Sequence, residues 1–338
     1  MDFQQVFEVP LELESGVLLP KLEMRYTIYG DLSSGKPIVW ICHALTADSK
    51  AADWWPGVVG ENGFFSPSDY TILCANNLGS CYGSTGPESI NPATRRVYWD
   101  DFPAITTRDM SLALIRLADA LGIKQIDYLV GGSMGGQIAL EWAIQQPWRM
   151  AHLVVLATNA RHSPWGIAFN ETQRMALSTD PEFGAGGAAR SGLKAARAIA
   201  LLSYRGYQTY AETQEDADSA VEIRRAASYQ QYQGEKLANR FSAYAYWTLS
   251  KAMDAHDVGR NRGGTSRALA EIQAKTLIIG IRQDVLFPLS EQSFLAKSIR
   301  GARFRILESI YGHDGFLTES EAITGLLAEY VSQKEGIR

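Results

Sequence analysis

The sequence predicts an α/β domain built on a mostly parallel sheet with helices on both faces. Three observations carry that prediction. Short continuous apolar runs, of the kind buried on both faces, alternate with helical patterns up to about residue 160 and again from Thr276 onward. One of these runs leads straight into Gly131-Gly132-Ser133-Met134-Gly135-Gly136, and an apolar-periodic segment follows at once, giving strand, sharp turn and helix. Between about Ala160 and Ile272 the buried runs stop and helical patterns with interleaved aromatics and arginines take over. The expected organisation is a core of residues 1–160 and 273–338, with residues 161–272 inserted as a helical lid over the carboxyl edge of the sheet.

In chain order, residues 3–30 alternate loosely between apolar and polar and are broken by glycines and a proline, which predicts short antiparallel strands at a sheet edge. Pro37 to Cys42 and Tyr70 to Ala75 read as buried strands. The first ends in His43-Ala44-Leu45-Thr46-Ala47-Asp48. The second enters the glycine-, serine- and asparagine-rich loop Asn76 to Pro87, the kind of strand-end loop that carries function. A helix is expected over Arg108 to Leu121, with Met110, Leu114, Leu117, Ala118 and Leu121 on one face and Gly122 as its stop. The strand Ile126 to Val130, the turn, a helix over Gln137 to Gln145 and a strand over Leu153 to Leu156 follow. The insertion shows helical patterns at Thr172 to Leu177, Leu193 to Leu202, Val221 to Tyr232 and Phe241 to Met253. The sheet resumes with Thr276 to Gly280, a helix over Leu289 to Ser298 and a strand over Arg303 to Leu307, and a helix over Glu321 to Gln333 ends the pattern.

Composition narrows the function classes. The chain has 338 residues, 46% hydrophobic and 20% charged, enough for a globular core. A net charge of -5 and the lack of any lysine- or arginine-rich block argue against a nucleic-acid partner. Cys42, Cys74 and Cys81 are an odd, sparse set without metal-ligand spacing, which predicts reduced thiols and a cytoplasmic setting. Met1 to Gln5 has neither a basic region nor an apolar stretch, so no signal peptide is expected, and no apolar run is long enough to span a membrane.

Gly131-x-Ser133-x-Gly135 fits the nucleophile-elbow pattern. A serine on so tight a turn is held in a strained backbone conformation, and small neighbours let strand and helix approach. The hydroxyl needs a base, and the base an orienting carboxylate. Of the five histidines, only His256 and His313 lie well downstream. His256 falls at the end of a predicted insertion helix, which predicts a surface position. His313 follows the last predicted strand beside a glycine, as a base over the elbow requires. Asp284 follows the preceding strand. The order Ser133, Asp284, His313 is the one expected of a doubly wound hydrolase-type fold. The oxyanion amides are expected from Met134, at the start of the elbow helix, and Leu45, in the loop after the first buried strand. His43 is expected to be structural.

With these residues in place the chain resembles the homoserine O-acyltransferases of the α/β-hydrolase superfamily, most of all the homoserine O-acetyltransferases. The resemblance runs along nearly the whole chain. It rests on His43-Ala44-Leu45-Thr46, the loop ending Gly83-Ser84-Thr85-Gly86-Pro87, Ile90-Asn91-Pro92, Thr107-Arg108-Asp109-Met110, the elbow through Ala139-Leu140-Glu141-Trp142, Ala196-Arg197, Tyr204-Arg205, Tyr232 to Lys236, Asp257 to Gly264 and Tyr311-Gly312-His313-Asp314-Gly315-Phe316. It implies ping-pong transfer of the acetyl group of acetyl-CoA to L-homoserine, for methionine biosynthesis, with no permanently bound cofactor or metal. It further implies that Arg197 pairs with the homoserine carboxylate, Asp314 with its ammonium group, that Tyr204 lines the pocket, and that the chain forms a homodimer through the helical insertion. A cation and an anion held apart suit a zwitterionic amino acid. Gly79-Ser80-Cys81-Tyr82 departs from the family pattern, in which two glycines and a different residue at the Tyr82 position are expected. Other outcomes stay open: a plain esterase or thioesterase, in which Arg197 and Asp314 have no substrate role; a succinyl donor or L-serine as acceptor; and a binding protein, against which a complete triad speaks.

Overall fold

A computed structural model describes residues 1–217 and 224–332. Val221, where one insertion helix was expected to begin, and Gln333, the expected end of the last helix, lie outside the described residues. The chain opens with β1 (Asp2–Phe7), a hairpin of β2 (Leu11–Glu12) and β3 (Leu18–Leu19), and β4 (Leu22–Tyr29). Then come β5 (Ile38–Cys42), α1 (Ala51–Trp54), β6 (Thr71–Ala75), α2 (Thr107–Ala120), β7 (Ile126–Gly132), α3 (Met134–Gln145) and β8 (Met150–Leu156). Among the described residues helices follow without a strand: α4 (Pro164–Ser178), α5 (Arg190–Tyr204), α6 (Tyr207–Thr213), α7 (Arg225–Ala238), α8 (Ala243–Asp254) and α9 (Thr265–Ala270). The chain returns through β9 (Lys275–Ile281), α10 (Leu289–Ser298), β10 (Arg303–Leu307), α11 (Gly315–Thr318) and α12 (Ser320–Ser332).

Eight strands form one sheet in the order β1-β4-β6-β5-β7-β8-β9-β10. β1 and β4 are antiparallel strands at one side of the sheet, β1 forming its edge, as their broken alternation predicts, and from β6 onward neighbours are parallel. The register decides where a site can form. Cys42 pairs with Gly131, Gly132 with Leu156, Leu156 with Ile279, and Ile281 with Leu307. The loops that leave these strands therefore emerge side by side at the carboxyl edge, where open α/β sheets bind ligands.

Period-two alternation in the central strands splits the core in two. Trp40 packs edge-on against Trp142 of α3, ring centroids 5.0 Å apart, on one face. Val39, Ile41, Val130 and Val154 pack with α1 and α12 residues such as Ile323 and Leu327 on the other. Both tryptophans are fully buried, so truncating either to alanine would cost about 3–5 kcal/mol.

α4 runs longer than its apolar pattern and α8 starts two residues later than its own, because serine caps rather than hydrophobicity set where they begin. Ser163 caps α4 with Pro164 in its first turn, and Ser242 caps α8. α6 and α9, short and weakly periodic, were not expected from the sequence. His256 corrects the sequence reading. It is buried, not on the surface. Its Nε2–H donates to the Asn159 carbonyl at 3.0 Å and its Nδ1 accepts from the Thr107 hydroxyl at 2.7 Å. The end of α8 is thereby fastened to the start of α2 and the end of β8. Among the described residues no helix is long and apolar enough to cross a membrane.

Candidate active site

The turn between β7 and α3 is held together by missing side chains. A Cβ on Gly135 would strike the Cys42 carbonyl, and one on Gly131 the Gly135 carbonyl. Only glycine lets β5, β7 and α3 converge here. Ser133 sits at the apex with φ 56° and ψ -127°, a conformation that costs a non-glycine residue roughly 1–3 kcal/mol. That strain turns its side chain away from the strand and toward the loops beyond β9 and β10.

Those loops bring the two partners. The Ser133 hydroxyl lies 2.9 Å from His313 Nε2, and His313 Nδ1 lies 2.7 Å from Asp284 Oδ2. The second Asp284 oxygen accepts the amides of Leu286 and Phe287, each at 2.8 Å. A carboxylate accepts at Nδ1, so His313 carries its proton there and presents a free Nε2 lone pair to Ser133. Phe287, Phe316 and Tyr204 surround the imidazole with ring centroids 5.1, 5.3 and 5.7 Å away. All three polar residues are buried, Ser133 being 6% exposed. The arrangement is one that can supply a nucleophile, a base and a stabiliser for the imidazolium in a site screened from bulk water.

Two further backbone amides lie just beyond the ends of β5 and β7. The carbonyl of Ser133 accepts from the Thr158 hydroxyl at 2.8 Å and from the amides of Gly136 and Gln137. The Ala44 carbonyl accepts from the amide of Ala47 at 3.1 Å and from His43 Nδ1 at 2.8 Å. Among the described residues the amides of Met134 and Leu45, which share peptide planes with those two carbonyls, have no acceptor. His43 is fully buried, and desolvation lowers its pKa to about 4.

The residues singled out for an amino-acid substrate are distributed around His313. Asp314, 9% exposed, follows it in a short 3-10 turn. Its Oδ2 accepts from Arg205 Nε at 2.9 Å, a partner that the sequence reading missed. Arg205 in turn lies over the Tyr229 ring, 5.4 Å from its centroid. Arg197 reaches over the Tyr204 ring at 5.3 Å, on the same ring that flanks His313. Burial pushes the Tyr204 phenol above its ordinary pKa, while Arg197 pulls it back. The α5 helix that carries Arg197 and Tyr204 meets the His313 turn through Gly312, whose φ of 58° sets its Cα against the Tyr204 carbonyl. Arg205 directly follows Tyr204 in the sequence; an arginine beside a predicted site tyrosine was the available signal.

Tyr82, where the sequence departs from its family pattern, accepts from Arg240 Nη1 at 2.6 Å. The same nitrogen donates to the Thr46 carbonyl at 2.7 Å. Tyr82 thus helps tie the segment between α7 and α8 to the loop that carries Leu45. Among the described residues no group of histidines, cysteines and carboxylates is spaced to hold a metal ion.

Comparison with known proteins identifies the family and the fold. The family model of the alpha/beta hydrolase fold matches residues 37–320. A homoserine O-acetyltransferase of Cyclobacterium marinum is 45% identical over 338 residues, covering 98% of this chain and 96% of its own. The crystal structure of homoserine O-acetyltransferase from Bacillus anthracis superposes with a TM-score of 0.89 at 22% identity, covering 97% of this chain and 96% of the other. The acetyl esterase MekB superposes with a TM-score of 0.84 at 25% identity, covering 98% of this chain and 97% of the other.

Proposed function

The chain belongs to the homoserine O-acetyltransferases within the α/β-hydrolase fold, and from that membership we propose that it moves the acetyl group of acetyl-CoA to L-homoserine by a ping-pong route through Ser133. Ser133 Oγ attacks the thioester carbonyl as its proton passes to His313 Nε2. The C–S bond breaks, the thiol of CoA leaves with that proton, and an acetyl ester remains on Ser133. The hydroxyl of homoserine then gives its proton to Nε2 and attacks the ester. The bond to Oγ breaks, Ser133 recovers its proton and O-acetyl-L-homoserine departs. Asp284 holds the imidazole and offsets its charge, while Leu45 and Met134 amides bind the oxyanion in both halves.

The acceptor is an amino acid in this reading, with Arg197 on its carboxylate and Asp314 on its ammonium group. The observation that carries it is the Asp314 carboxylate beside the base, with Oδ2 held by Arg205 Nε at 2.9 Å. A carboxylate so placed favours a cationic group of the ligand next to it. Tyr204 forms the wall between the two charges. The product feeds methionine biosynthesis. The enzyme acts in the cytoplasm as a homodimer joined through the residue 161–272 lid, which covers a core of residues 1–160 and 273–338. Acetyl-CoA enters as a substrate, with no resident cofactor.

Hydrolysis is the second reading, favoured by the likeness to an acetyl esterase. The two diverge after the acyl-enzyme. Incubation with acetyl-CoA alone is expected to leave one acetyl group on the Ser133 peptide, seen by mass spectrometry and discharged by L-homoserine. An acyl-enzyme that water discharges as fast as L-homoserine does would establish the hydrolase. Acetylation that persists in Ser133→Ala would remove Ser133 as nucleophile.

A further inference from the structure

The loop that carries Leu45 is braced by a buried histidine that the acyl-transfer chemistry leaves unused. We propose that His43 is the positioning residue of the oxyanion site: it aims the Leu45 amide by holding the carbonyl of the same peptide. This inference rests on the acyl-enzyme reading above and adds a residue to it.

The peptide bond is planar and trans, so the Ala44 carbonyl and the Leu45 N–H point in opposite directions. Fixing one aims the other. A carbonyl oxygen accepts, so the 2.8 Å contact from His43 Nδ1 places the ring proton on Nδ1. Nε2 is then the acceptor, and the Asn77 amide donates to it at 2.9 Å. Both ring nitrogens are engaged, one to the loop after β5 and one to the loop after β6. Asn77 Nδ2 also donates to the His43 carbonyl at 3.2 Å. From the far side Arg240 holds the Thr46 carbonyl at 2.7 Å. The Leu45 peptide is therefore gripped on both flanks while its own N–H has no acceptor among the described residues.

The elbow repeats the device. There the Thr158 hydroxyl holds the Ser133 carbonyl at 2.8 Å, and the N–H of that peptide belongs to Met134. An oxyanion site works because its donors are fixed before charge develops. Both donors here are fixed through their carbonyls, one by a threonine together with the Gly136 and Gln137 amides, and one by His43 together with the Ala47 amide. The His43 ring fits the task because it is fully buried, so water does not compete for the Ala44 carbonyl.

The test separates aim from mere packing. 4-Nitrophenyl acetate and its thiono analogue, with sulfur in place of the carbonyl oxygen, are compared as acyl donors. Sulfur is larger and a poorer acceptor, so a well-aimed donor pair favours the oxo ester. His43→Asn keeps an N–H at the δ position. His43→Gln moves the amide to the ε position, where it serves the Asn77 contact but not the Ala44 carbonyl. The expected result is that His43→Gln lowers the oxo-to-thiono ratio of kcat by about a hundredfold, the scale of losing one oxyanion donor, at little change in KM. His43→Asn stays within a few-fold of the unchanged chain. Equal losses on both esters, or an Asn variant as poor as the Gln variant, would overturn the proposal. His43→Ala takes the place of the Gln variant should that one not fold. No acyl burst in the unchanged chain would overturn the acyl-enzyme reading itself. A normal burst with unchanged ratios in the variants would overturn the role of His43 alone.

Discussion

Ser133, His313 and Asp284 are separated by 180 and 29 residues in sequence and joined by contacts of 2.9 and 2.7 Å in space. Each sits just after a strand of the parallel sheet, which is why their order and setting could be read without coordinates. Replacing Asp284 by asparagine would put an N–H where His313 needs an acceptor and favour the wrong tautomer. A fall in kcat of about 10⁴ is expected, with KM little changed; a fall below tenfold would contradict the assigned role. Arg205 was not readable in this way. A guanidinium at the end of a helix between β8 and β9 has the same local signature whether solvated or paired, and its pairing with Asp314 spans 109 residues. Arg205→Gln is expected to raise KM for L-homoserine about tenfold, the scale of one hydrogen bond to a charged group. Acetylation of Ser133 by acetyl-CoA alone should be unaffected. If acetylation slows as much as transfer, Arg205 acts on the triad rather than on the acceptor.

At the scale of elements, several stretches that looked like signature motifs are clasps between core and insertion. Glu141 on α3, buried with its side chain 1% exposed, accepts from Arg262 Nη1 at 2.8 Å and Arg108 Nε at 3.2 Å. Arg108 also donates to the Arg260 carbonyl at 3.1 Å. The Thr107 to Met110 stretch supplies one half of a capping box, in which Asp109 and the preceding Thr106 satisfy each other's backbone amides. One Asp109 oxygen accepts the Glu14 amide as well. Helix starts and buried strands were readable because propensity and periodicity are local. The partners of Glu141 and His256 were not, because they depend on how the insertion docks. Glu141→Gln removes a charge that two arginines share, so it is expected to lower stability by about 3 kcal/mol, measured as a denaturant midpoint. kcat should stay near its normal value; a normal midpoint would show that the clasp contributes nothing.

Across the whole molecule, buried neutral histidines set the acid limit. Desolvation lowers His43 and His162 to about 4 and His256 to about 3, each from an ordinary value of 6.5. The unfolded chain takes up these protons as pH falls below 6.5, while the folded chain resists until pH 4 or lower. Stability is therefore present above pH 6.5 and lost as pH falls toward 4, by about 3 kcal/mol for each histidine at pH 4. Glu291 opposes this. Burial raises it to about 7, so protonation between pH 7 and 4.5 favours the folded state, though its partial exposure weakens that contribution. Burial also raises the Asp109, Glu141 and Asp254 carboxyls, which act in the same sense as Glu291. The three histidines, all lowered to about 4 or below, outweigh them, which predicts a melting temperature that falls from pH 7 to pH 4. A melting temperature that is flat or rises over that range would contradict the buried neutral assignment.

The central claim is that the acyl group passes from Ser133 to an amino-acid hydroxyl. The measurement that tests it most directly is CoA release from acetyl-CoA with and without L-homoserine, run beside succinyl-CoA as donor and L-serine as acceptor. Release that depends on L-homoserine, favours acetyl-CoA, and gives parallel double-reciprocal lines is the predicted result. Release at the same rate with no amino acid present would contradict it and make the chain a thioesterase, with Arg197 and Asp314 serving only the fold.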